Sequence, residues 1–433
     1  MKKLLLVLFI SQFYLLTSVC ASPNLAPVYS LLLDGSDVDE NADWKGVNKV
    51  VGQDPFSYDY FGKSVAIHGD YAVIGAYDEN CCLGDYTSFK SGIGAVYLYK
   101  HNHTTKKWEL LERITENSKN SDFGYSVAIN EDTIVIGARS EDLTEDDNEF
   151  SHGAVYIYEN YKQGIGAPIK LTQTIPASWF GSSVAISNNK IVVGSTFGHN
   201  SLGGEATDSD RNFGAAYIYT KGDSWNLEHT IVSNEPDKLF GYDVSIHDDY
   251  IVVGSDAGDT DGASLAYYYN NGSWSSNGSF PSPGHDIVLV SNSFLFATIY
   301  RGAHSFNGMT TGYVNIYKRN TSDTNWEFLQ KIEPTEPSST HGFGADISIS
   351  DDEKTLAISD RGETIVYLYS QTPTGWTLDS NVTQLDKWPR SLSFGNSIAV
   401  TNTSLVVGAN SENYDVNEST TYRSAGAAYF FGK

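Results

Sequence analysis

Apolar residues in this chain come in short runs separated by polar turns, with no helical stripe. One pattern recurs: Phe-Gly-x-Ser-Val-Ala-Ile, a few turn residues, a Val/Ile-rich run closing on Gly-Ala or Gly-Ser, a variable loop, then Gly-Ala-Val-Tyr-Ile-Tyr. It opens at Phe61, Phe123, Phe180, Phe240, Phe343 and Phe394, each followed by Gly, and a degenerate copy opens at Pro283-Gly284. In the second copy, Gly124–Ile129 reads as a strand and Asn130-Glu131-Asp132 as its turn. Thr133–Gly137 reads as a strand buried on both faces, and Gly153–Tyr158 as a third after a long acidic loop. A fourth strand opens on Trp in several units: Trp108-Glu109-Leu110-Leu111, Trp225-Asn226-Leu227, Trp326-Glu327-Phe328-Leu329 and Trp376-Thr377-Leu378.

A repeat of roughly 40–60 residues implies a solenoid or a propeller, and solenoids of that period are mostly helical. Four antiparallel strands per unit, apolar on both faces, fit a blade packed between two neighbours. The degenerate unit aligns without a gap to the fourth, with Gly284–Leu289 over Gly241–Ile246 and Phe294–Ala297 over Ile251–Gly254. The last unit stops after its third strand, while Trp44–Val51 stands before the first unit and opens on Trp. The predicted fold is therefore all-β: a seven-bladed β-propeller of four-stranded antiparallel blades over 44–433, closed by an N-terminal strand completing the last blade. Closure of that kind removes free sheet edges.

Met1-Lys2-Lys3, the apolar run Leu4–Leu16 and the small residues around Ala21 predict a signal peptide over 1–21, followed by an acidic linker over 22–43. The expected product is secreted, extracellular and without a transmembrane segment. Seven Asn-x-Ser/Thr sequons, at Asn102, Asn271, Asn277, Asn320, Asn381, Asn402 and Asn417, predict glycosylation and mark surface turns. Cys81 and Cys82 stand side by side in the first long loop, either as a vicinal disulfide shaping a binding loop or as an incidental pair. The net charge of −25 is spread along the chain and argues against nucleic acid and anionic membranes. Cations, basic proteins and neutral glycans remain open as partners, and a monomer is expected.

The recurring Phe-Gly-x-Ser-Val-Ala, Val-Ile-Gly-Ala and Gly-Ala-Val-Tyr segments resemble the FG-GAP repeat family, including the seven-bladed propellers of integrin α subunits. The resemblance spans about residues 44–433. It implies a propeller that binds ligands outside cells; related propellers also serve as fungal lectins. Several integrin blades carry a calcium loop between the first and second strands. Here those turns, such as His68-Gly69-Asp70 and His247-Asp248-Asp249, are too short to wrap a cation that takes six to eight oxygens.

Long second-to-third-strand loops share one face with the inter-blade connections, where repeat proteins place binding surfaces. On that face, Trp179 and Trp388 are candidates for stacking on a ligand, with packing beneath the loop as the alternative. Asp256, Asp259 and Asp261, followed by Gly262, form either a calcium loop or a solvated acidic turn. Glu141, Asp142, Glu145, Asp146 and Asp147 read as a plain acidic loop. The third residue of each unit (Ser64, Ser126, Ser183, Asp243, Asp286, Asp346, Ser397) falls on the innermost strand and suggests a repeated inter-blade hydrogen bond. No catalytic motif is present. The expected function is a secreted, non-enzymatic binding propeller recognising an extracellular protein or matrix ligand. A carbohydrate-binding lectin is the alternative, and a secreted hydrolase or lyase with a loop-built site is the third reading.

Overall fold

The structure is a computed structural model. It describes residues 44–433 except 54–56, 80–91, 117–120, 143–150, 176–177, 198–212, 234–238, 257–262, 282–287, 300–311, 321–324, 335–341, 386–392 and 414–422. Within these bounds the chain forms seven four-stranded antiparallel sheets. Blade 1 is typical: Ser64–His68, Tyr71–Ala76, Ala95–Asn102 and Lys107–Ile114, paired in chain order. A single short 3-10 turn, Tyr161–Gln163, interrupts the β structure among the described residues, and no described helix is long and apolar enough to cross a membrane.

Each apolar cluster lies between two successive blades, and no cluster is shared by all. Phe123, Val127, Ile134 and Ile136 of blade 2 pack on Val73, Val96 and Leu98 of blade 1. The same arrangement recurs at each junction. The six Phe-Gly phenylalanines are the wedges: each is at most 2% exposed. Second strands such as Thr133–Ala138 are buried throughout because both faces meet a neighbour.

The ring closes as the sequence predicts. Lys45–Val50 pairs antiparallel with Ala427–Gly432 as the fourth strand of blade 7. Trp44 is buried there, with the Lys433 ammonium 4.9 Å from its ring. Buried Asn48 then stitches blade 7 to blade 1. Its amide donates to the Trp108 carbonyl and its carbonyl accepts the Trp108 N–H, both at 3.2 Å. Gln330 grips Trp376 of the next blade in the same way.

Inner strands carry the expected serine bond. Ser64, Ser126, Ser183 and Ser397 each donate to the Phe-Gly glycine carbonyl of the following blade, at 2.8–2.9 Å. The glycine closing each adjoining second strand makes room for this. A Cβ on Gly137 would stand 2.1 Å from the Gly181 carbonyl oxygen and 2.3 Å from Ser126 Oγ.

Two expectations are corrected. In blade 5, Val290 pairs with Leu295 where Ile246 pairs with Ile251 in blade 4. The equivalence is thus one residue further along than the gapless alignment. A one-residue slip would swap the faces of every side chain, and the packing gives the register: Val290, Leu295 and Ala297 face blade 4, whereas Phe294 and Phe296 face blade 6. Not all sequons mark turns. Asn277 and Asn381 lie within fourth strands, which form sheet edges and leave side chains in solvent. Asn271 and Asn402 are exposed in turns; Asn417 lies outside the described residues. Asn102 and Asn320 each donate to the carboxylate seven residues on, Glu109 and Glu327, across a hairpin.

Candidate functional site

The Phe-Gly pair builds a corner. In each of the six units the N–H two residues after Phe donates to the carbonyl of the residue before it: Lys63 to Tyr60, Tyr125 to Asp122, Ser182 to Trp179, Tyr242 to Leu239, Ala345 to Gly342 and Asn396 to Ser393. The central Gly holds φ between 81° and 91°, as the third position of a type II turn requires. Phe turns inward, and the two flanking residues are brought together on the face of the long loops. In four blades the leading residue (Tyr60, Asp122, Trp179, Leu239) is itself left-handed, at φ 43–54°. Backbone strain of this kind in non-glycine residues clusters at functional sites.

These corners assemble an aromatic and cationic surface across blades 1 to 4. Tyr60 stacks on Tyr77 at 5.1 Å, and Tyr77 meets Tyr125 edge-on at 5.5 Å. The Arg139 guanidinium lies 3.5 Å from the Tyr125 ring centre and 4.6 Å from that of Trp179, and the Lys63 ammonium lies 4.9 Å from Tyr125. Nε of Arg139 donates to Asp122 at 3.0 Å, which fixes the guanidinium over both rings. Tyr242, 36% exposed, follows the Phe240-Gly241 corner of blade 4. Farther round, Asn396 donates to the Lys63 carbonyl at 3.0 Å and sits 3.5 Å from Arg361.

Burial pushes the Tyr77 hydroxyl well above its ordinary value, reinforced by Tyr60 and Asp78. The Tyr77 phenol therefore stays neutral. Deeper in, Asp346 accepts the N–H of Ile347 at 2.8 Å and of Ile398 at 2.6 Å. Burial, with Asp243 adding repulsion, pushes its carboxyl up to about 7 despite those two donors. The surface as a whole offers π faces and fixed cations, groups suited to recognition.

Trp179, singled out from the sequence, sits within this array, half-buried, with Phe197 edge-on at 4.5 Å and Arg139 over its ring. Asp256 is half-buried, just past the strand Tyr250–Val253. Trp388, Cys81, Cys82, Asp259, Asp261 and Asp286 lie outside the described residues. Glu141 lies in the loop after Thr133–Ala138 but is not solvated: it is 1% exposed, accepts the Tyr156 hydroxyl and pairs with Lys170. Glu79, with Tyr97 and Arg113, repeats the arrangement in blade 1, and Glu412 with Tyr429 in blade 7. Sequence reading missed Tyr60, Lys63, Tyr77, Tyr125, Arg139 and Tyr242. Their signal was positional: all flank Phe-Gly or follow the second strand, where the units disagree.

A family model described as FG-GAP repeat matches residues 44–99 and 113–158. The chain carries FG-GAP repeats. Its seven blades agree with the integrin α type of propeller that these repeats build. No protein of curated function matches the chain in sequence. Among solved structures, it is similar to U3-55K, with 12% identity over 90% of this chain and 99% of that one and a TM-score of 0.53. The β-propeller domain of Myceliophteria thermophila Cps50 (Swd1) is also similar, with 9% identity over 88% and 98% and a TM-score of 0.53. At such identities the likeness is one of fold alone.

Proposed function

We propose that this FG-GAP propeller is a secreted, non-enzymatic binding protein that recognises an extracellular protein ligand through the Tyr60–Tyr77–Tyr125–Arg139–Trp179 surface. The observation that carries this reading is the stacking of Arg139 on both Tyr125 and Trp179. Tyr, Trp and Arg dominate the energetics of protein interfaces because they offer large, stiff contact area with few rotamers to freeze. The leader-like N-terminus and the sequons support secretion. Lys63, Arg139 and Arg361 gather on a molecule of net charge −25, so a partner presenting carboxylates or aromatic rings suits the surface. A sugar-stacking role for Trp179 is less well supported, because Arg139 already covers its ring.

The test is to probe the purified chain against extracellular-protein and glycan arrays, then repeat with Tyr125→Ala and Arg139→Ala. Binding to a protein, weakened on the order of 10-fold or more by each variant, is the expected result. Binding to glycans alone would replace this reading with the lectin, and turnover of the bound ligand would replace it with the enzyme.

A further inference from the structure

The face opposite the aromatic surface carries the first-to-second and third-to-fourth strand turns. In blade 1 those two turns converge. The Asp70 carbonyl accepts the His101 N–H at 2.8 Å, locking one hairpin to the other. His103 Nε2 stands 2.9 Å from Asp70 Oδ2. His101, near the end of the strand Ala95–Asn102, and His103, in the turn that follows it, meet ring to ring at 4.7 Å. Side-chain donor atoms of Asp70, His101 and His103 all lie within 4.8 Å of one another.

The rings are held from beneath. His101 packs on buried Trp108 at 5.3 Å. The intervening Asn102 turns the chain by accepting the N–H groups of Thr104 and Thr105 at 2.9 and 3.1 Å. No other group of three such side chains stands this close among the described residues.

We propose that Asp70, His101 and His103 form a binding site for a borderline divalent transition cation, Zn2+ above all. Two imidazoles and one carboxylate are the donors of zinc and copper sites; calcium and magnesium require more oxygens than this corner offers. Three protein donors leave one tetrahedral position for water or for a side chain of a partner. The site is half-exposed, and the strongly negative chain around it raises the local concentration of cations. His68, bonded to Glu131 at 3.1 Å, lies apart from the cluster and serves as a control.

The experiment is calorimetric titration of the metal-stripped full chain with Zn2+ alone. A single saturable site is expected. His101→Ala and His103→Ala should each weaken it on the order of 10-fold or more, His68→Ala should not, and millimolar Ca2+ should not compete. Because His101 rests on Trp108, a variant there that lowers the melting temperature is set aside, and Asp70→Asn and His103→Ala, both on exposed side chains, decide. Absence of Zn2+ binding, binding indifferent to Asp70→Asn and His103→Ala, or displacement by Ca2+ overturns the site.

Discussion

Two arcs of the ring are joined differently. From blade 7 through blades 1, 2 and 3 to blade 4, each junction carries a serine bond to the next Phe-Gly carbonyl. Each also has a parallel bridge to the next Phe: Gly426 to Phe61, Gly94 to Phe123, Gly153 to Phe180 and Gly214 to Phe240. From blade 4 to blade 7 the stitch changes. Ser245 and Ser348 accept N–H groups from Val290 and Val400 of the following blades, and Asp346 accepts that of Ile398. Thr298 and Ser359 replace the second-strand glycine, and a Cβ on the facing Gly344 or Gly395 would find them at 3.3 and 3.0 Å. The regular arc presents the clustered aromatics and cations. Recognition needs side chains held by rigid backbone, and repeated latches supply that rigidity.

The comparison breaks most readily at its tightest contact. Gly137→Val should destabilise the chain by roughly 3 kcal/mol or more, because its Cβ would strike the Gly181 backbone, which cannot give as a side chain can. An unchanged denaturation midpoint would mean that blades of the regular arc do not sit this close. Thr298→Gly, the reverse change in the irregular arc, should do far less.

A smaller effect separates the bonds from the close approach. Ser126→Ala leaves the blades in contact but deprives the Gly181 carbonyl of its partner, at a cost of about 1–2 kcal/mol in chemical denaturation. Loss of less than a few tenths would show that the serine fills space and does not hold the junction.

The subtlest test is pH. The Asp346 carboxyl titrates near 7 in the folded chain against 3.8 ordinarily, so the native state keeps a proton that the unfolded state has released. Its contribution is therefore fully present below about 4 and is lost as pH rises through 7. Asp346→Ser with Ser359→Gly transplants the regular latch and should flatten the fall in stability between pH 4 and 7, read from melting curves. An unaltered slope would assign that dependence to other carboxylates.

Much of the scaffold was legible in the sequence because its rules are local and repeat. Phe-Gly corners, glycine at second-strand ends and Trp-led fourth strands each answer to one steric need, met in most blades. The serine bond was legible for the same reason. Blade 5 was legible in kind but not in register, since its Pro283-Gly284 copy lacks the Phe that marks the start of the other units. The candidate surface was mostly illegible. Trp179 stood out by its chemistry, whereas Tyr125 and Arg139 are ordinary residues until Asp122 and neighbouring corners set them face to face.

What the sequence by itself determined is the number of blades, their order and the closing of the ring. Apolar runs, turn glycines and a spare strand before the first unit matching the one missing from the last specify these through near-neighbour sterics. Only the tertiary structure decided which surface side chains meet. Tyr77, Tyr125 and Trp179 come from three blades, and Asp70, His101 and His103 from two hairpins. Their approach depends on the angle and spacing at which successive sheets pack, which the interlocking of buried Phe wedges and latch glycines sets.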